Sequence, residues 1–179
     1  MIKYLLLSLV LLVGCGAKYD ESDGVISSAP GAGYLQLPAH LDTSNVNNPN
    51  LNKIIDDAAL DWYIATDGID LLGTEGQTIP VVVMDLDPGI IGQANVIEVP
   101  GNFHMWIDFS VVPAYPDAAS TEYAKTAVIH EIGHLLGLQH STTGIMQPYV
   151  TPPACVDKEA LSLVCKRFHC GPKNKTTCL

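Results

Sequence analysis

Residues 128–140 contain the side chains of this chain that are best suited to bind a metal ion. His130 and His134 are four residues apart in a segment whose apolar residues recur at helical spacing, so both imidazoles are expected on one helix face. Gly137 stands where a left-handed residue can end the helix and turn the chain back, which would bring His140 to the same ion. Glu131 follows the first histidine directly. Three imidazoles, one open coordination position and a nearby carboxylate are typical of a catalytic rather than a structural zinc site.

A structural interpretation of the same residues is weaker. Two histidines that flank a glutamate at this spacing occur by chance fairly often, and a single helical histidine is usually a core residue. Gly137 and His140 at fixed offsets reduce the chance of a coincidental match to roughly one in 10⁵. The complete pattern therefore favours a metal site.

Periodicity predicts helices and strands on both sides of this segment. A helix runs over residues 120–136, a second begins at Leu51 after a cap at Asn48 or Asn50 and ends at Asp67-Gly68, and a third follows a cap at Asp157. Strands are predicted at 34–37, 78–86, 90–99 and 103–110, and the valines at 81–83 predict burial on both sheet faces. These elements must place the histidine segment.

Length and composition indicate one compact domain. The chain has 179 residues, 47% of them hydrophobic, and a formal net charge of -10. This acidity argues against binding nucleic acid or an anionic membrane surface through a basic patch. A single catalytic domain over residues 34–179 is expected, as a monomer.

The first fourteen residues have the pattern of an export signal. Lys3 precedes an apolar run that is too short to span a bilayer, and small residues follow it. Leu12-Val13-Gly14-Cys15 resembles the lipobox of bacterial lipoproteins, which implies a signal at 1–14, a lipidated Cys15 and a flexible tether at 15–33. The expected location is the bacterial cell envelope, with the lipid anchor as the only membrane contact. Ordinary secretion after cleavage nearby is the alternative.

The remaining cysteines lie close together near the C-terminus. They form an even set, which in an exported chain predicts two disulfides, with three possible pairings that the sequence does not separate. A second zinc site is the less favoured alternative. The four residues are Cys155, Cys165, Cys170 and Cys178.

The histidine pattern is similar to the zinc signature of the metzincin metalloproteases. A methionine, Met146, follows His140 by six residues, as in the Met turn that lies beneath the zinc in that family; here the turn comprises residues 143–146. Ser141 and Pro148 favour a likeness to the matrixins. The resemblance implies an α+β fold, a twisted five-stranded mixed sheet with three helices.

The resemblance also suggests where a substrate would lie. It implies that Pro148 and Tyr149 belong to a pocket wall, although Tyr149 is offset by one residue and could instead pack on the sheet. It further implies that residues 90–96 form the edge strand that pairs with an extended peptide, where Gly92 permits close approach and Ala94 keeps the groove open.

The ligand set predicts the chemistry of a zinc endopeptidase that acts on proteins or peptides. His130, His134 and His140 would hold Zn²⁺, and Glu131 would activate the metal-bound water that attacks the peptide bond. The alternative is a non-catalytic zinc-binding surface lipoprotein or adhesin, which intact Glu131 disfavours. A Ca²⁺ site is a further, weaker expectation, because no run has calcium-loop spacing. Its candidate ligands are Asp85, Asp87, Glu98, Asp108 and Asp117.

Overall fold

The computed structural model describes residues 35–86, 90–95, 103–108, 117–149 and 152–178. Within them the chain forms an α+β arrangement of four strands, three α-helices and one 3₁₀ turn. In chain order these are β1 Ala39–Asp42, α1 Pro49–Thr66, β2 Gln77–Met84, β3 Gly92–Asn95, β4 His104–Asp108, α2 Ala118–Leu135, the 3₁₀ turn Gly144–Met146 and α3 Lys158–Phe168.

The strands form one mixed sheet in the order β1-β2-β4-β3. β1 and β4 each pair in parallel with β2, whereas β3 pairs antiparallel with β4 and lies at one edge. Ile79, Val81, Met105 and Ile107 are buried and belong to the same apolar core as the inner faces of α1 and α2. The sheet therefore has one face in the core, and β3 next to α2 at its edge.

The first helix begins and ends where local chemistry predicts. The Asn48 side chain accepts hydrogen bonds from the backbone of Asn50 and Leu51, and Pro49 occupies the first helical turn, where its missing N–H costs nothing. Asp67 has a left-handed conformation with φ of 53° and ends the helix. The predicted apolar face is confirmed as the buried one: Leu51, Ile54, Ile55, Ala58, Ala59, Trp62 and Ala65.

The histidine-bearing helix α2 is fixed against α1 by side-chain contacts. Asp117 caps it through a hydrogen bond from the Ser120 backbone. The fully buried Trp62 donates its Nε1–H to the carbonyl of Ile129 at 3.0 Å, one residue before the first histidine. A hydrogen bond to a buried carbonyl with a large aromatic ring packed behind it restricts how this part of α2 can move.

Three sequence predictions about the sheet need correction. The first strand is not at 34–37: it begins after Pro38, whose carbonyl accepts from the Gln77 N–H, because pairing with β2 needs the N–H groups that follow the proline. The valine run is not buried on both faces, since Val82 and Val83 are only partly buried. The described residues form four strands rather than the five that the resemblance implies: one lies before α1 and three lie between α1 and α2.

Two disulfides hold the C-terminal segment. They join Cys155 to Cys178 and Cys165 to Cys170, which selects one of the three pairings that the sequence left open. The predicted signal, Cys15 and the tether lie outside the described residues, as does Tyr34. Among the described helices, none combines the length and the hydrophobicity that a membrane span requires.

Candidate metal centre

The histidines at 130, 134 and 140 converge on one point. His130 and His134 project from α2, and their ring centroids are 4.6 Å apart. The potential ligand atoms of these two residues and His140 all lie within 4.8 Å of one another. The three residues predicted as metal ligands are therefore brought together.

The end of α2 explains how His140 reaches the other two. Gly137 has a φ of 86°, a left-handed conformation that suits glycine. The Gly137 N–H bonds to the His134 carbonyl and the Leu138 N–H bonds to the Gly133 carbonyl, each at 2.9 Å. This paired pattern is a Schellman motif, which satisfies the last helix carbonyls while it reverses the chain.

Backbone carbonyls fix the orientation of two of the imidazoles. His130 donates from Nδ1 to the Ile145 carbonyl at 2.7 Å, and His134 donates from Nδ1 to the Leu138 carbonyl at 2.8 Å. A carbonyl can only accept, so each Nδ1 must carry the hydrogen. In the neutral ring this leaves the lone pair on Nε2, the atom that a metal would bind.

One pair of these nitrogens has the spacing of two ligands of a zinc ion. The Nε2 atoms of His134 and His140 are 3.3 Å apart. Two ligands of a tetrahedral zinc ion at the usual Zn–N distance are separated by about 3.3–3.4 Å. The Nε2 of His130 is buried and has no hydrogen-bond partner among the described residues. A buried, unpartnered acceptor beside two others is a costly arrangement that a cation would relieve.

Burial keeps these rings neutral. It lowers the pKa of His130 to about 4, against which the hydrogen bond to Ile145 acts in the opposite direction. Burial also lowers the pKa of His134 well below its ordinary value, and the neighbouring His130 lowers it further. The pKa of the partly buried His140 is lowered for the same first reason. At neutral pH all three rings therefore have a lone pair available for a metal ion.

The Glu131 side chain extends from α2 towards Gly92 on the edge strand of the sheet. The residue is only 1% exposed. A Cβ atom added at Gly92 on β3 would lie 2.8 to 3.0 Å from the Cγ, Oε1 and Cδ atoms of this glutamate, which is closer than real Cβ atoms come. The absence of a side chain at Gly92 thus gives the Glu131 carboxyl room at the strand that ends the described sheet.

The 3₁₀ turn places Met146 beneath α2, the helix that carries His130 and His134. Met146 is 3% exposed, and its carbonyl accepts from the Ser141 N–H at 2.9 Å, next to His140. A Cβ at Gly133 would lie 2.5 Å from the Met146 sulfur. The methionine therefore packs directly against the helix backbone between His130 and His134.

The residues proposed for the substrate pocket are only partly brought together. Gly92 and the partly buried Ala94 lie on β3, at the sheet edge. Pro148 is partly buried, whereas Tyr149 is 46% exposed. A cavity of about 230 Å³ lies beside the turn, and neither Pro148 nor Tyr149 lines it. Its lining residues are Gly144, Ile145, Gln147, Pro152, Pro153, Cys155, Asp157 and Cys178. Substrate binding by Gly92, Ala94, Pro148 and Tyr149 stays a prediction.

The predicted calcium ligands do not gather in the described residues. Asp108 accepts from the Leu86 backbone at 2.8 Å, and Asp117 caps α2. Asp87 and Glu98 lie outside the described ranges. Among the residues described, three or more potential ligands converge only at the histidines, so calcium stays an expectation.

Several contributors to the site gave no sequence signal as such. The Ile145 and Leu138 carbonyls hold the His130 and His134 rings, but a backbone carbonyl is present at every residue. Asp157 is recognisable as a helix cap, and the structure shows that it also bonds the Ile145 N–H. Gly133 could have been suspected only because a helix-interior glycine is unfavourable without a packing reason.

Comparisons with known proteins add a family match. A family model described as Matrixin matches residues 17–163. A solved structure described as the GM1 bound form of the ECX AB5 holotoxin is 20% identical with a TM-score of 0.43; the match covers 68% of this chain and 57% of that one. The match thus spans less than two thirds of that protein's length. No curated protein matches the sequence.

Proposed function

The chain belongs to the matrixin family of metallopeptidases, and on that premise we propose that it is a zinc-dependent endopeptidase with Glu131 as its general base. One observation supports this most directly. Two buried imidazoles and one partly buried imidazole, all neutral at pH 7, converge on one point, and the residue after the first of them is a buried glutamate beside the edge strand.

His130, His134 and His140 would hold the zinc ion. Zinc in such a site supplies Lewis acidity, which polarises a carbonyl oxygen and acidifies water. The protein contributes the orientation of the ligands, because the bonds from Nδ1 to the Ile145 and Leu138 carbonyls prevent ring rotation and select the tautomer.

Glu131 would transfer the proton of the reaction. As general base its carboxylate accepts a proton from the attacking water, and it then delivers that proton to the departing amine. Its position against Gly92 places it beside the strand along which a peptide would lie. Burial keeps bulk water from competing for the carboxylate.

The substrate is proposed to be an extended protein or peptide segment. β3 pairs with β4 on one side and is the last strand of the described sheet. An extended peptide could therefore add to it through main-chain hydrogen bonds. Gly92 and Ala94 have little side chain to obstruct the approach.

The cellular setting is also a proposal. Two disulfides in the C-terminal segment are consistent with an oxidising compartment outside the cytoplasm. Together with the lipobox-like sequence, they support a domain anchored to the cell envelope by a lipid on Cys15.

The test compares casein cleavage and zinc content in the purified full chain and in two variants. Glu131→Gln should retain zinc and lose about 10³-fold or more in cleavage rate, because the amide cannot accept the proton. Glu75→Gln, an exposed position, is the matched control and should behave as the parent. The parent should lose activity with a chelator and regain it with added zinc.

Three results would refute the proposal. Cleavage by Glu131→Gln at the parental rate would show that the base is another group. Cleavage that survives removal of the metal would rule out a zinc-dependent peptidase. No cleavage by the zinc-loaded parent would rule out a peptidase and favour the non-catalytic zinc-binding alternative.

A further inference from the structure

The last residues of the described chain form a strap across the molecule. This C-terminal strap, residues 171–178, contacts the end of α1: the Gly171 N–H bonds to the Thr66 carbonyl and the Lys175 N–H to the Ala65 carbonyl, each at 2.9 Å. Its other end reaches the segment before α3 through the disulfide from Cys178. The strap therefore connects two parts of the fold that are distant in sequence.

At that second end the strap holds both backbone groups of Val156. The Val156 N–H donates to Thr177 Oγ1 at 2.8 Å. The Val156 carbonyl accepts from the Thr177 N–H at 3.1 Å and from Thr176 Oγ1 at 2.7 Å. The residue on one side of Val156 is the disulfide-bonded Cys155, and the residue on the other side is Asp157. The strap thus fixes the backbone from which the Asp157 side chain extends.

Asp157 uses its two carboxylate oxygens for two different tasks. Oδ1 accepts from the Glu159 and Ala160 N–H groups at 2.8 and 3.0 Å, which caps α3. Oδ2 accepts from the Ile145 N–H at 2.7 Å, inside the 3₁₀ turn. The adjacent Gly144 has a φ of 70°, and a Cβ there would collide with Oδ2. The turn is therefore shaped to receive this carboxylate.

Ile145 connects Asp157 to the candidate metal site by two hydrogen bonds. Ile145 is held on both sides: its N–H donates to Asp157, and its carbonyl accepts the Nδ1–H of His130, each at 2.7 Å. A ligand imidazole is oriented by the acceptor of its second nitrogen. Whatever fixes the Ile145 backbone consequently fixes the direction of the His130 Nε2 lone pair.

We propose that Asp157 is a positioning residue for the metal centre: it orients His130 through Ile145, and it is itself held in place by the C-terminal strap that the Cys155–Cys178 disulfide closes. The inference rests on the proposed function only in taking these histidines as zinc ligands. It predicts that zinc affinity depends on a carboxylate and a disulfide that do not touch the metal.

Asp157→Asn separates the two tasks of this side chain. Asparagine is as good a helix cap as aspartate, so its oxygen can retain the bonds to α3. Its amide nitrogen would then face the Ile145 N–H, and two donors cannot bond. Asp117→Asn is the matched control, because Asp117 also caps a helix with one oxygen but contacts no residue of the turn among its described bonds.

The experiment measures the zinc dissociation constant of the full chain by competition with a chromophoric chelator, and the melting temperature of the metal-free form. Asp157→Asn should bind zinc about tenfold more weakly, at the lower end of the effect of outer ligand supports. Asp117→Asn should retain parental affinity. A purely structural role would lower the melting temperature of the metal-free form and leave the affinity unchanged.

The disulfides supply a second, independent comparison. The paired change Cys155→Ser with Cys178→Ser opens the strap and should weaken zinc binding in the same direction. Cys165→Ser with Cys170→Ser removes the other disulfide, which lies at the far end of α3, and should leave the zinc affinity as in the parent. If Asp157→Asn does not fold, this pair of comparisons decides the matter.

Parental zinc affinity in Asp157→Asn, or equal weakening by both disulfide variants, would overturn the inference. Because the readout is metal affinity, it does not depend on catalysis. A parent that binds zinc but cleaves no protein would remove the proposed peptidase function and leave this inference to be judged on its own data.

Discussion

Gly133→Ala tests whether Met146 packs against the ligand helix. Alanine in a helix is favoured over glycine by about 1 kcal/mol, so at an open helix position this change would stabilise the protein. Here the new Cβ would meet the Met146 sulfur at 2.5 Å and its terminal methyl at 3.1 Å. Forcing a methyl group into a packed core costs about 1–3 kcal/mol. We therefore expect Gly133→Ala to lower the free energy of unfolding by about 0–2 kcal/mol.

The effect of Gly133→Ala on the free energy of unfolding should change sign when Met146 is also replaced. Met146→Ala removes the obstructing atoms and should itself cost about 2–5 kcal/mol. In that background Gly133→Ala should stabilise by up to about 1 kcal/mol, because only the helix preference remains. The coupling between the two positions should then be about 1–3 kcal/mol.

Denaturant unfolding of the four proteins in excess chelator gives these values without a contribution from bound metal. Gly73→Ala is the control: the nearest atoms to its new Cβ are 3.9 and 4.0 Å away, so its effect should stay within about 0.5 kcal/mol. If Gly133→Ala stabilises the parent, or has the same sign in both backgrounds, Met146 does not lie beneath α2 and the described geometry is wrong there.

The other predictions concern the third ligand and the anchor. His140→Ala should abolish zinc binding or weaken it by orders of magnitude while α2 remains intact, since His140 lies beyond the helix end; unchanged zinc content after purification would show that it is not a ligand. Cys15→Ala should move the protein from the membrane fraction to the soluble fraction of cells that export it, because one residue carries the proposed lipids; a distribution equal to that of the parent would exclude the anchor.

The local features of the fold were predictable because short-range patterns produce them. The apolar spacing from Leu51 to Ala65, the Asn48 cap and the left-handed end at Asp67 all depend on neighbours within two helical turns. The first strand was misplaced by a few residues because pairing with β2, which is decided by a distant segment, selects residues 39–42 over the alternating run before them. The prediction that Val82 is buried was wrong for the same reason, because no local pattern shows which sheet face the helices cover.

The sequence by itself determined the candidate ligand set, because two histidines one turn apart and a glycine three residues later define their own geometry. Only the tertiary structure decided what supports that set. The acceptor for His130 lies 15 residues away at Ile145, the space for Glu131 is provided by Gly92, and the Ile145 N–H is held by Asp157. These contacts depend on backbone groups and on the space beside a glycine, and neither produces a pattern along the sequence. They form only when elements that are distant in the chain pack together.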